Sequence, residues 1–433
     1  MRKPSFMPLT PGARRRLMGM AQNIVIAALV VSTALLAGGR AGFDLFGGRT
    51  AAGQETLGEN AGGREYVPAA EPLCVVATPG EGVHSAAMYS ARSLDEYNAL
   101  YSAALAEALG SAGEPEAVTD AEWREALSSP GVYFDYYTDC QLSTYAIWLG
   151  SAMSSDAATH SARRICLSLG DGAVTLYYLR ERGVDTRTAY RCSTELSYTE
   201  LAERVNESVP NGAQFAFELD GEFEGLDPCA VLTEGVIELR GAAGENTIDA
   251  VEPENILAAF GMNANLARSY TEADGSVVYL EGTTSLRLGA DGALSYASRE
   301  PGDADALTPS DAVELTHRIL ERTALAASLE AGMRLSYIAY DLAAGTYTIR
   351  YDYCLDGLPL SLQQRECAAE FTLSGESVVG AEIIFRGYSY SAAAEHPLPA
   401  RLAAALVDAG GGGEPRLVFI DSNGAVRADW ISV

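Results

Sequence analysis

The chain has 433 residues, 48% of them hydrophobic and 20% charged, a balance that buries a sizeable core and argues against a disordered polymer. Fifty-eight Asp and Glu against 30 Lys and Arg give a formal net charge of −28. So acidic a chain repels phosphate backbones and anionic lipid headgroups, which speaks against nucleic acid as a partner.

In chain order, residues 1–17 form a basic tail with Arg2, Lys3, Arg14, Arg15 and Arg16. Met18–Ala37 follows, about twenty uncharged residues with only Gln22 and Asn23 strongly polar, long enough to cross about 30 Å of hydrocarbon. This span, taken as residues 18–38, predicts one transmembrane helix. The arginine triplet before it sets the N-terminus in the cytoplasm and everything beyond in the extracytoplasmic space, so the expected location is the cell membrane, single-pass. A basic start, an apolar core and small residues at Ala34, Ala37, Gly38 and Gly39 also fit a cleaved leader. The small residues Ala28, Ser32, Ala34 and Gly38 recur at four-residue spacing, where a partner helix could approach closely.

Residues 39–70, rich in Gly, Ala and Glu, read as a flexible stalk. From 71 to 208 the pattern predicts an N-terminal α+β domain. It has a strand over Pro72–Thr78, a helix capped by Ser93, a second over Thr119–Leu127 with Trp123 inward, five strands and a closing helix over Tyr198–Val205. The five strands are Val132–Thr138, Thr144–Leu149, Arg164–Leu169, Val174–Leu179 and Thr186–Cys192, with a hairpin turn at Asp171–Gly172.

Residues 209–302 predict a middle α+β domain, with Pro253 opening a short helix before a three-strand meander. Residues 303–433 predict a C-terminal domain. Its helix is capped by Thr308, an antiparallel sheet lies behind it, a helix covers Pro399–Val407, and a hairpin turns at Ser422–Asn423–Gly424. The fold class expected is α+β: helix-plus-antiparallel-sheet modules in series, preceded by one transmembrane helix.

Chemistry is sparse. His84, His160, His317 and His396 have no partner at metal or triad spacing. Seven cysteines lie too far apart for a C-x-x-C site, and of the disulfides open to them Cys166/Cys192 and Cys354/Cys367 are the nearest on adjacent strands, with buried free thiols the competing reading. The acidic pairs Asp303/Asp305, Glu222/Glu224 and Asp135/Asp139 are what so acidic a chain yields by chance. No nucleophile elbow, P-loop or dinucleotide fingerprint occurs. The expectation is a protein without catalytic residues, metal or cofactor. Aromatic strands around Tyr133, Phe134, Tyr136 and Tyr137, and later Tyr388 and Tyr390, leave open an envelope protein that binds cell wall or extracellular polymer without catalysis.

The segment Glu254–Asn263 and the stretch Tyr270–Gly282 resemble the central region of the YycH/YycI family. The basic N-terminus, single membrane helix, helix-plus-sheet modules and closing hairpin with Trp430 match its layout as well. The resemblance implies a membrane-anchored regulator that accompanies the YycF/YycG (WalR/WalK) two-component system and modulates its sensor histidine kinase. A related YycH/YycI-type protein is the second partner it implies.

Overall fold

The structure is a computed structural model, and it describes residues 71–181, 187–219, 221–299 and 307–433. The expected membrane span with Ala28, Ser32, Ala34 and Gly38, the stalk, and the pair Asp303/Asp305 lie outside the described residues. Among the described residues no helix is long and apolar enough to cross a membrane.

The first block is a sheet covered on both faces. Its elements are β1 (Pro72–Gly80), β2 (Val83–Ala87), α1 (Ala91–Gly110), β3 (Glu116–Val118), α2 (Asp120–Ser128), β4 (Gly131–Gln141), α3 (Leu142–Trp148), β5 (Ser161–Gly170), β6 (Ala173–Glu181), β7 (Arg187–Ser193) and α4 (Tyr198–Asn206). The seven strands are ordered β2-β1-β4-β5-β6-β7-β3 and every pairing is antiparallel. One face, with Val75, Phe134, Ile165 and Leu176, packs against Tyr101, Leu105 and Leu109 of α1 and Leu201 of α4. The other, with Val76, Tyr133 and Cys166, receives Trp123 and Leu127 of α2. Burial on both faces explains why β1 reads as a nearly continuous apolar run instead of an alternating one.

The chain then makes the short pair β8 (Gln214–Phe215) and β9 (Val231–Leu232). A second sheet takes up β10 (Leu239–Asn246), β11 (Arg268–Thr271), β12 (Val277–Glu281), β13 (Thr284–Leu288) and β14 (Ala293–Ser298), with α5 (Pro253–Ala259) between β10 and β11. After α6 (Pro309–Arg322) come β15 (Gly332–Asp341), β16 (Thr346–Leu355), β17 (Leu358–Leu362), β18 (Ala369–Ser374), β19 (Ser377–Ile384) and β20 (Arg386–Glu395). The chain closes with α7 (Ala400–Ala409), β21 (Pro415–Ser422) and β22 (Ala425–Ser432). These form one 13-stranded sheet, β11-β12-β13-β14-β19-β18-β16-β17-β21-β22-β10-β20, with β15 on β16. The segments expected as middle and C-terminal domains share it: β14 pairs with β19, and β10 with β20 and β22. The mixed α+β class, with large antiparallel sheets and seven α-helices among the described residues, is as expected. One pairing is parallel, β17 with β21.

Three turns follow the chemistry of their sequence. Asp171–Gly172, Asp356–Gly357 and Asn423–Gly424 all carry positive φ at both positions, the tight hairpin turn that Asp or Asn followed by Gly favours. Two elements differ from expectation. Thr144–Leu149 is not a strand: it lies in α3, where Leu142, Tyr145 and Ala146 at helical spacing are buried, so packing overrides its aromatic and β-branched content. Helix α1 starts at Ala91, two residues before Ser93, with Ser90 as the capping position.

Of the two readings left open for the cysteines, the structure has free thiols: all seven are unpaired and all but Cys367 are buried. Cys192 packs with Tyr178 and Leu176 on one face of the first sheet while Cys166 packs with Tyr133 on the other, and side chains on opposite faces cannot bond.

Candidate functional site

The densest polar chemistry lies where the first sheet meets β21. Arg163 and Arg164, neighbours on β5, sit beside a register break in the β4–β5 ladder, and both guanidinium groups reach the same carboxylates. Arg163 donates to Asp135 at 2.8 Å, to Glu181 at 3.3 Å, and to Glu414. Arg164 is fully buried and donates to Asp227 at 3.0 Å, to Glu414 at 2.8 Å, to Glu181 at 3.2 Å and to Asp135 at 3.4 Å. Arg187 closes the other side on Asp227 and on Glu181 at 3.0 Å, and Arg416 holds Glu414 at 3.1 Å. Four guanidinium groups thus balance four carboxylates.

The electrostatics follow from burial and pairing. Burial alone would raise the Asp227 carboxyl, but Arg164, Arg187 and the Cys229 N–H hold it below its ordinary value. Glu414 is held well below the carboxylate range in the same way, by Arg416, Arg163 and Arg164 against burial. Asp135 goes the other way: burial, with the charge on Glu414, outweighs the two arginines and raises it. An arrangement so fully paired ties segments together.

Next to this junction opens a cleft of about 450 Å³, lined among others by Tyr137, Arg187, Tyr337, Arg350, Asp352 and Glu366. The Tyr137 hydroxyl donates to Asp352 at 2.7 Å across the two sheets. Arg350 is held by Glu370 and Glu366, each at 2.6 Å. The walls are polar and of mixed charge. Cys367 lines the cleft, yet burial pushes its thiol up to about 12. All seven thiols are raised by burial, the reverse of what a nucleophile or thiolate ligand requires.

Sequence reasoning missed one constellation. The Thr78 hydroxyl lies 2.9 Å from His84 Nδ1, and His84 Nε2 lies 2.9 Å from Glu218, which also accepts from Ser128 Oγ and the Phe215 N–H. The order hydroxyl, imidazole, carboxylate is that of a hydrolase triad. Thr78 and His84 are each 2% exposed, so no substrate carbonyl reaches the hydroxyl, and the chain works as a staple between the β1–β2 hairpin and the segment at Phe215. Because 134 positions separate His84 from Glu218, no local spacing could have revealed it.

The remaining expected residues are dispersed. His160 Nδ1 contacts the Tyr178 hydroxyl at 2.7 Å, His317 lies on α6 with Glu321 at 3.7 Å, and His396 is exposed. Asp135 belongs to the junction while Asp139, two strand positions past Tyr137, does not; Glu222 and Glu224 are exposed near α7. Of the aromatics, Tyr133, Phe134, Tyr136 and Tyr388 are buried in the core, and Tyr390 carries Arg240 over its ring at 3.5 Å. Four of these aromatics therefore pack inward, while Tyr137 lines the cleft beside Tyr337. Among the described residues no group of His, Cys, Asp and Glu could hold a metal ion.

No family model matches the sequence, and no curated protein matches it. The structure is similar to the crystal structure of YycH from Bacillus subtilis, with a TM-score of 0.57 at 9% sequence identity, over 84% of this chain and 95% of that one. With most of both chains superposed, the chain has a YycH-like fold.

Proposed function

We propose that this protein is a non-catalytic envelope regulator, anchored by Met18–Ala37 with its modules outside the membrane, that modulates a sensor histidine kinase through transmembrane and ectodomain contacts. The observation that carries the reading is the YycH-like fold over 84% of the chain, taken with the family role that the sequence resemblance implies. The interior supports it: the strongest polar clusters tie chain segments together through paired charges and hydrogen bonds, and burial raises every thiol. A regulator of this kind shifts the kinase only by binding its two signalling states unequally. Within the span, Ala28, Ser32, Ala34 and Gly38 give the face on which a kinase helix packs, and a second YycH/YycI-type protein is the other partner proposed.

The test is co-purification of the full chain with a sensor histidine kinase of the same cell, together with output from a promoter that kinase controls. Ala28→Leu with Ser32→Leu is expected to weaken co-purification several-fold and to change promoter output, because bulk at small-residue positions separates the helices. If the kinase neither co-purifies with the unaltered chain nor responds to its deletion, the regulatory reading falls.

A further inference from the structure

Helix α7 is inside out. Its sequence, Ala-Arg-Leu-Ala-Ala-Ala-Leu-Val-Asp-Ala, offers two leucines at four-residue spacing, and a surface helix ordinarily turns its larger apolar residues to the core. Here Ala400, Ala403 and Ala404 are buried, while Leu402 is 50% and Leu406 58% exposed. Ala405 and Ala409 are exposed beside them, and Leu398, just before the helix and in step with the leucines, is 42% exposed. The outer face is thus entirely leucine and alanine on a chain of net charge −28.

The helix cannot simply roll over to hide that face. Arg401 donates to Gln214 on one flank. Two turns further along the same flank, Asp408 Oδ1 accepts from the Gly225 N–H at 2.6 Å. Beyond its end, Gly412 at φ +87° lies so close to Gly225 that a Cβ would stand 2.1 Å from the Gly225 carbonyl oxygen, and Gly413 donates to that oxygen at 2.9 Å. Its orientation is fixed by bonds at both ends of that flank and by the close backbone contact beyond its C-terminus.

The surroundings say what covers it. Glu222 and Glu234 approach Arg401 at 4.0 and 3.9 Å, Glu224 adjoins Gly225, and Asp408 lies on the helix itself, so carboxylates outnumber the one guanidinium along the flank of the leucine stripe that carries Arg401 and Asp408. We propose that the outer face of α7 docks a helix of another protein, one with an apolar stripe flanked by Lys or Arg. Small Ala405 and Ala409 let the partner backbone come close, the leucines supply the buried area, and the acidic rim selects the basic flanks. A second copy of this chain would bring the same carboxylates against each other, and an anionic membrane is repelled for the same reason. The inference stands apart from the proposed function, since it needs no kinase.

The probe is a synthetic helical peptide with Leu at positions i, i+4 and i+8, Lys on both flanks and a photo-crosslinking residue, presented to the full chain in zwitterionic lipid discs. Mass spectrometry is expected to map crosslinks to residues 398–409. The neutral double variant Leu402→Gln with Leu406→Gln, whose side chains are half exposed and leave the fold intact, is expected to lower their yield about tenfold or more. A peptide with Glu flanks, or one with Gln for Leu and Lys retained, is expected to crosslink as weakly as that variant. Equal yield from the Glu-flanked peptide, or from the double variant, overturns the proposal. So does self-association of the full chain that vanishes in the double variant, because it gives the face to a second copy. Leucine-dependent attachment of the helix to the lipid disc overturns it in favour of the membrane.

Discussion

Arg164 shows what a buried charge costs and does. With no exposed surface, it is stable only because Asp135, Glu181, Asp227 and Glu414 all lie within 3.4 Å. Arg164→Met removes the cation and leaves the carboxylates buried without their main partner, which costs about 3–5 kcal/mol. Urea unfolding of the variant is expected to show that loss, and a change under about 1 kcal/mol would mean water reaches the carboxylates. The same residues set the acid limit. Asp227 and Glu414 have folded values below the ordinary ones, so their stabilisation is complete above the unfolded carboxyl value of about 4 and is lost as pH falls through the folded values. Asp135 is raised and has the opposite sign: its contribution is present at low pH and is lost as pH rises through its folded value. Two depressed carboxylates outweigh one raised one, so thermal stability is expected to fall below about pH 4, and Glu414→Gln is expected to start lower and decline less steeply. A parallel decline in the variant would assign the acid limit to other groups.

At the scale of elements, the hairpin turns and the caps at Thr119 and Thr308 follow from local chemistry, whereas the start of α1 lies at Ser90 and not at Ser93. Thr119 accepts from the Glu122 N–H, and Glu122 Oε2 accepts from the Thr119 N–H at 2.8 Å, a reciprocal box foreshadowed by Thr-x-x-Glu ahead of Trp123. Thr119→Ala is expected to cost about 1 kcal/mol in chemical denaturation, with amide exchange accelerated in α2 first. What was not readable is what packing decides. β10, Leu-Arg-Gly-Ala-Ala-Gly-Glu-Asn, has no β-branched residue and is a strand because β20 and β22 flank it. α3 has a strand's composition and a helix's burial spacing. In α7 the helix was visible and its facing was not, because Gly225 and Gln214, which fix it, lie some 180 positions earlier, by the separations of 183 and 187 for those bonds.

Across the whole molecule, the candidate site was illegible for the same reason at larger range. Arg163 and Glu414 are 251 positions apart, and only the register of β4 on β5 and the approach of β21 bring them together. The acidic pairs Asp135/Asp139 and Glu222/Glu224 looked equivalent in sequence, yet only Asp135 entered the buried arginine–carboxylate junction. Long-range pairing also bears on which parts fold alone. The segment 209–302 has its own helix, meander and turns, and composition marks it off as a unit. Its strand β14 hydrogen-bonds along β19 from Ala293 to Ala297, and β10 pairs with β20 from Leu239 to Asn246, so both ladders belong to residues beyond 302. Cut out, the segment leaves Leu286 and Leu294, now fully buried, to solvent, and two strand edges unpaired. Expressed alone, residues 209–302 are therefore expected to lack a cooperative thermal transition and to aggregate, while residues 209–433 retain the 13-stranded sheet and melt cooperatively. A sharp transition in the shorter piece would mean that its meander supports itself, and that the shared ladders join two modules already folded.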